Sequence, residues 1–455
     1  MTSDVRSRFE VGTGSNSKPP MTGDFSVDAT ACSKLWSECA AQLADLPAKA
    51  ERSETQQSVA EEILASGRRA RTAFLGRHVE ALYGKLTKDF TEKRRVEEIA
   101  VEVARLVPGL VPDDEVLQRE GALEQKNKDG HEIDQGILFN AILANERCGL
   151  DLCHAMLLPK PASLELAEKF AREGRIDLGS AYIDRVGKVS TVRFNNPRYL
   201  NAEDESTLVN VETVVDLALL DAATDIAILR GAPIESGKYA GKTVSSTGIN
   251  LTHLYQGKIT FLWYLIRDLG FVNKMFRGLA YPDVPPGEVD GDTLEKPWIG
   301  TVEKFAIGGG CQYLLATDFV VADSSAYLTL PARKEGIIPG VANMRLPRFV
   351  GDRIARQAIQ YERRIDCDSP EGRLICDLVV EPEKFDVELD AAAQRLTSSG
   401  VVSAASNRRA FRVTEEPLDA FRRYMAVYAR EQAACHFSPA LIRNLVHFWD
   451  AQNRR

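Results

Sequence analysis

KPWIGTVEKFAIGGGCQYLLATDFVVADSSAYLTLP, residues 296–331, contains the segment on which the reading of the chain turns, GGGCQ at residues 308–312. A short apolar stretch, Phe305-Ala306-Ile307, runs into three glycines, after which Cys311, Leu314 and Leu315 fall at helical spacing. Glycines let a ligand approach the backbone, and amides near a helix start point outward, so the segment predicts donors able to hold an anionic oxygen. An oxyanion that develops during a reaction is one such target. Glycine triplets also build ordinary tight turns, so the segment must be read with its surroundings.

Working outward, residues 246–251 read STGINL and residues 195–202 read NNPRYLNA. Between them Leu208, Val211, Val215 and Leu219 predict a helix, and DIAILRG at residues 225–231 predicts a strand. In order, spacing and element type, residues 180 to 380 resemble the crotonase (enoyl-CoA hydratase and isomerase) superfamily. The resemblance implies an α/β fold, with a crotonase-like spiral ββα core flanked by a helical N-terminal domain and C-terminal helices. It also implies an acyl-CoA thioester as ligand and an oxyanion hole made by the backbone amides of Ile249 and Gly309. Gln312 stands where hydratases carry a catalytic Glu, and an amide is no general base. The family's second Glu lies in P-E-x-x-x-G-x-x-P-G; here residues 331–340 read PARKEGIIPG, placing Ala332 at that position. Glu335 could be a displaced substitute, but pairing with Arg333 or Lys334 is its expected role. Water addition across a double bond therefore lacks its catalysts.

One branch of the superfamily resembles the chain over nearly its full length: the cofactor-independent arylacetyl-CoA 1,2-dioxygenases of dihydroxyphenylglycine and vancomycin-type antibiotic biosynthesis. They are similar in their long helical N-terminal extension, their GGGCQ segment and their missing hydratase glutamates. The resemblance implies deprotonation at Cα, reduction of dioxygen by the resulting carbanion, and release of CoA and an arylglyoxylate without metal or organic cofactor. In that reading Ile249, Gly309 and Gln312 are catalytic. Glu203 accepts from a ring hydroxyl, Arg267 supplies a cation at the ring end, and Gln312 keeps negative charge away from the carbanion. The backbone of Thr247, Gly248, Asn250 and Leu251, with Tyr239 and Gly310, completes the substrate rim. Arg198, Lys238 and Lys242 are candidate phosphate partners. Phe261, Trp263 and Tyr264 predict a dry aromatic wall, although the same residues would equally suit a core. Two other readings stay open: another crotonase-type reaction, such as thioester hydrolysis, decarboxylation or isomerisation, and a non-catalytic acyl-CoA-binding protein.

Composition sets wider bounds. A chain of 455 residues with 44% hydrophobic and 27% charged residues is long enough for two or three domains. Its net charge of −8 argues against nucleic acid or an anionic membrane as partner. With no apolar run of membrane-spanning length and no signal-peptide core, the expected location is cytoplasmic. Eight cysteines form no C-x-x-C pair, and six histidines form no metal-ligand spacing, so buried reduced thiols and no metal are expected. GTGSNSK at residues 12–18 lacks the glycine and strand of a phosphate loop and runs into Pro19-Pro20.

The breaks divide the chain into a disordered leader (1–30), a helical N-terminal domain (31–179), a crotonase-like domain (180–400) and a C-terminal helical oligomerisation segment (401–455). Helical spacing is clear over residues 64–82 and 96–106, and residues 281–295, YPDVPPGEVDGDTLE, predict a surface loop. Phe421, Met425, Tyr428, Leu445 and Trp449 form the apolar face of the C-terminal helices, which in the resembled family pack across trimers. The expected assembly is a homo-oligomer, trimer or hexamer.

Overall fold

The computed structural model describes residues 21–398 and 400–453. Most of the expected leader, including residues 12–18, lies outside them. Its last part is not a leader: a helix runs from Phe25 to Ala44, and Asp24 caps it by accepting from the Ser26 and Val27 amides, each at 2.9 Å. A cap of this kind stabilises a helix start by about 1 kcal/mol. Further helices follow, among them Glu54–Leu86, Val96–Leu106, Ile133–Ala144 and Pro161–Glu173. The helical region ends at Gly174, in the left-handed conformation that glycine adopts freely, earlier than the boundary expected at 179.

The α/β core is a seven-stranded sheet in the order Arg175–Asp177, Ala181–Val186, Val189–Phe194, Ile226–Gly231, Trp298–Val302, Phe319–Asp323, Leu378–Val380. The first three strands pair antiparallel, and from Val189–Phe194 onward every pairing is parallel. Trp298–Val302 is buried at every position, the mark of a central parallel strand covered on both faces. The Glu205–Leu220 helix buries Leu208, Val211, Val215 and Leu219 as their spacing requires. A second sheet joins Phe305–Ile307, Tyr327–Thr329 and Ile365–Asp366. Isolated bridges link Ser246 to Ala306 and Glu203 to Ile249, so both glycine segments meet at one edge of the core.

The C-terminal helices turn back onto their own chain. Leu418–His436 packs along Ile133–Ala144, and the approach is close enough that a Cβ on Gly136 would lie 2.5 Å from the Ala433 Cβ. Asn140 Nδ2 donates to the Ala426 carbonyl at 2.7 Å across the same contact. Phe421, Met425, Tyr428 and Leu445 are all buried within the chain, so the face assigned to subunit contacts is largely filled by intrachain packing. Trp449 is half-buried.

The insertion at 281–295 departs from a plain surface loop. Val289 is exposed at its tip, but Thr293–Leu294 pairs with Leu279–Ala280, and the buried Glu295 carboxylate accepts from Arg412 Nη2 at 2.5 Å. The buried Glu295 charge anchors its C-terminal end. The eight cysteines are free thiols; Cys39 and Cys435 are half-buried, the rest buried. Among the described residues no helix is long and apolar enough to cross a membrane.

Candidate active site

Two glycine segments face each other at closest packing distance. Gly248 has φ +74°, and a Cβ there would lie 2.7 Å from both the Gly309 nitrogen and the Ile307 carbonyl oxygen. Only glycine satisfies both the backbone angle and the space. Gly308, at φ +52°, turns the chain out of the Phe305–Ile307 strand into the Gly309–Leu314 helix.

This geometry leaves two amides free. Glu203 binds the residues flanking Ile249: its amide donates to the Gly248 carbonyl and its carbonyl accepts from the Asn250 amide, both at 2.7 Å. That parallel bridge leaves the Ile249 N–H on the other side of the strand. Among the described residues, neither the Ile249 nor the Gly309 amide has an acceptor, and both residues line one cleft. Buried amides are seldom left without a partner, so the pair is suited to an incoming oxygen atom.

The polar wall is organised by Arg267, at the end of the Phe261–Leu269 helix. Its Nε donates to Glu203 Oε2 at 2.8 Å, and its Nη1 donates to Asp268 Oδ1 at 2.5 Å and to Gln312 Oε1 at 2.8 Å. Its guanidinium also lies 4.9 Å from the Tyr313 ring centre. Burial opposes the charge, but Glu203 and Asp268 hold Arg267 well above its ordinary range. Burial pushes Asp268 above the usual carboxylate range, against the pull of Arg267.

Two consequences concern the substrate side. Arginine offers only donors, so the Gln312 atom facing it is the oxygen, and the amide NH₂ is free to donate into the cleft. Glu203 keeps one buried oxygen, Oε1, with no hydrogen-bond partner, and the buried Trp263 Nε1 is likewise unpartnered. One buried acceptor and one buried donor are thus left without partners on residues that line the cleft.

The opposite wall carries Ile337, Ile338, Pro339, Tyr264, Tyr428 and Glu335. The expected pairing of Glu335 is not formed: Arg333 and Lys334 bind Glu362 instead, at 3.2 and 2.5 Å. Gly336, at φ +81°, ends the Ala332–Glu335 turn, whose outer residues face Glu362 while Glu335 is buried. Burial alone raises the Glu335 carboxyl to about 7.

The structure therefore gathers Ile249, Gly309, Gln312, Glu203 and Arg267 around one cleft, with Trp263 and Tyr264 in its wall. Phe261 belongs to the core against Gly136. Other candidates serve the framework. Asn250 Nδ2 donates to Asp204 at 2.9 Å and its Oδ1 accepts from the His253 amide, capping the Leu251–Tyr255 helix. Thr247 Oγ1 donates to the Tyr199 carbonyl at 3.0 Å, and Gly310 packs against Ser246. Leu251 is half-buried at the helix start, and Tyr239 meets the Phe305 ring edge-on at 5.4 Å. Arg198, Lys238 and Lys242 are exposed, outside the cleft, and unpaired among the described residues. Asp268 and Tyr313 were missed, and only their adjacency to Arg267 and Gln312 could have marked them. Among the described residues no group of three or more His, Cys, Asp or Glu side chains is placed to hold a metal ion.

Comparison with known proteins places this geometry in context. Residues 291–430 match the family model described as enoyl-CoA hydratase/isomerase. The chain is 40% identical over 416 residues to a (3,5-dihydroxyphenyl)acetyl-CoA 1,2-dioxygenase of Amycolatopsis orientalis, covering 91% of this chain and 94% of the relative. It is 29% identical over 237 residues to a short-chain-enoyl-CoA hydratase of Clostridium acetobutylicum, covering 52% and 82%. An enoyl-CoA hydratase structure from Mycobacterium avium subsp. paratuberculosis is similar at 19% identity and TM-score 0.49, covering 60% of this chain and 97% of that one.

Proposed function

Because the chain belongs to the enoyl-CoA hydratase/isomerase (crotonase) superfamily, alongside the (3,5-dihydroxyphenyl)acetyl-CoA 1,2-dioxygenase that it matches almost end to end, we propose that it catalyses that dioxygenation. The substrates are (3,5-dihydroxyphenyl)acetyl-CoA and dioxygen, and the products are (3,5-dihydroxyphenyl)glyoxylate and CoA. The observation that carries the reading is the pair of unpartnered amides at Ile249 and Gly309, beside a neutral Gln312 anchored by Arg267.

The thioester oxygen sits between the two amides, which stabilise the charge that develops when a Cα proton leaves. Two such donors in a dry cleft are each worth on the order of 3 kcal/mol of barrier. The ring lies toward Glu203 and Trp263, where the free Oε1 accepts from one hydroxyl and the indole N–H donates to another. The carbanion, delocalised over thioester and ring, reduces dioxygen, so the electron-rich substrate takes the part that a redox cofactor would otherwise play. The peroxide then attacks the thioester carbonyl and expels the CoA thiolate; loss of the second Cα proton with cleavage of the O–O bond leaves the ketone at Cα and the carboxylate beside it. The Gln312 NH₂ donates toward the oxygen-bearing intermediate without adding negative charge.

For CoA, the exposed cations Arg198, Lys238 and Lys242 are the proposed phosphate partners, beside Tyr239 and the backbone at 247–251. A cytoplasmic homo-oligomer supplying the arylglyoxylate for dihydroxyphenylglycine, and so for glycopeptide antibiotics, is consistent with this reading. The test is aerobic incubation of purified protein with arylacetyl-CoA thioesters, following oxygen uptake and CoA release together. One-to-one stoichiometry is expected. CoA release without oxygen uptake would identify a thioester hydrolase instead.

A further inference from the structure

Among the described residues, the buried Asp and Glu side chains share a pattern: each accepts from a cation, a side-chain donor or a backbone amide. Glu212 and Asp216 hold Lys274, Glu416 holds Arg345, and Glu120 takes three backbone amides. Glu335 is the exception. It is 5% exposed, lines the cleft, and has neither hydrogen-bond nor ion-pair partner among the described residues. A buried carboxyl without a partner costs several kcal/mol when ionised. Such a cost is tolerated most readily where the group has work to do.

Its position narrows that work. A Cβ built on Gly308 would lie 3.7 and 3.9 Å from the two Glu335 oxygens, so the carboxyl sits against the residue preceding the Gly309 amide. Glu335 lines the same cleft as the Ile249 and Gly309 amides, and in a thioester whose oxygen they hold, Cα is two bonds from that oxygen. The other carboxylate lining the cleft, Glu203, is ion-paired with Arg267 through its Oε2.

We propose that the Glu335 carboxylate is the base that removes the Cα proton of the bound thioester, an assignment that rests on the dioxygenase reading above. The Cα–H bond breaks, its electron pair moves into the thioester as the enolate held by the two amides, and an O–H bond forms on Glu335. No electrons pass to an acceptor in this step; dioxygen is reduced afterwards. The proton leaves Glu335 with the CoA thiolate, which departs as the thiol. Burial also brings the carboxyl close to neutrality, where a general base works best.

The experiment is anaerobic exchange of the substrate Cα hydrogens with deuterated water, followed by NMR, in wild type, Glu335→Gln and Glu335→Asp. Thioester affinity is measured alongside. Glu335→Gln should bind the thioester and lose about 100-fold or more of the exchange rate, the usual size of a general-base contribution. Glu335→Asp should fall between, which keeps the test decisive if the glutamine variant does not fold. Wild-type exchange in a folded Glu335→Gln, or in Glu335→Asp together with unchanged oxygenation, would overturn the assignment alone. No exchange in the wild type would overturn both it and the dioxygenase reading.

Discussion

Arg267 and Gln312, 45 residues apart in the chain, are joined by a 2.8 Å hydrogen bond from the guanidinium to the amide oxygen. The bond fixes which end of the amide faces the cleft. It also makes Gln312 a directed donor rather than a passive replacement for a carboxylate.

Gln312→Glu should therefore cost more than an added charge. The new carboxylate would join Glu203 and Asp268 around one guanidinium and would remove the free NH₂ from the cleft. Oxygenation should fall by about 100-fold, comparable to the loss of one oxyanion donor. Oxygen-electrode rates measure it, with the ionisation of the new acid followed by infrared spectroscopy. Wild-type turnover with that acid ionised would refute the electrostatic role.

Gly309→Ala and Ile249→Val should behave differently. A Cβ at Gly309 would overlap Glu203 Oε1 and come within 3.0 Å of Arg267 Nη2, displacing the acceptor wall as well as crowding the thioester. At Ile249 only the backbone amide is needed. Gly309→Ala should slow anaerobic Cα exchange by about tenfold or more, and Ile249→Val should retain most of it. Equal exchange in wild type and Gly309→Ala, with both folded and binding CoA, would undermine the proposed site.

Stability should report the buried acid. Burial holds Glu335 at about 7 in the folded chain, against an ordinary value of 4.5. The folded state thus binds this proton more tightly than the unfolded state. Its contribution is intact below pH 4.5 and is lost as the pH rises through 7. Glu335→Gln removes that loss, so the variant should gain on wild type between pH 5 and pH 8, by up to roughly 3 kcal/mol. Urea denaturation at the two pH values measures the gain. A variant less stable than wild type at pH 8 would mean that the carboxylate is favourably solvated.

Turnover should survive exhaustive chelation and need no added flavin, because the electrons come from the substrate carbanion. The measurement is oxygen uptake before and after treatment with a strong chelator. Activity lost on chelation and restored by iron or copper would place the protein in a metal-dependent class.

Some of this was readable from the chain alone because it depends on local backbone. The angles at Gly248 and Gly308, the donors beside them and the Glu205–Leu220 helix each follow from residues within a few positions of one another. Glu203, Arg267 and Gln312 could be named, but not connected, since no periodicity records a bond spanning 45 or 64 residues. The misread residues show the same limit. Glu335 has two cationic neighbours in sequence, yet the turn sends them to Glu362 and buries Glu335 in the cleft. The C-terminal helices display an apolar face, but the pattern does not say that Ile133–Ala144 of the same chain covers it.

Backbone conformation and the absence of an acid at Gln312 and Ala332 were thus properties of the primary structure: glycine's freedom and the chemistry of an amide depend on no distant neighbour. Which donors are left unpaired, which carboxyl is stranded and which cation holds the substrate wall were settled by the fold. Desolvation and pairing depend on every group that surrounds an atom, and those groups come from remote parts of the chain.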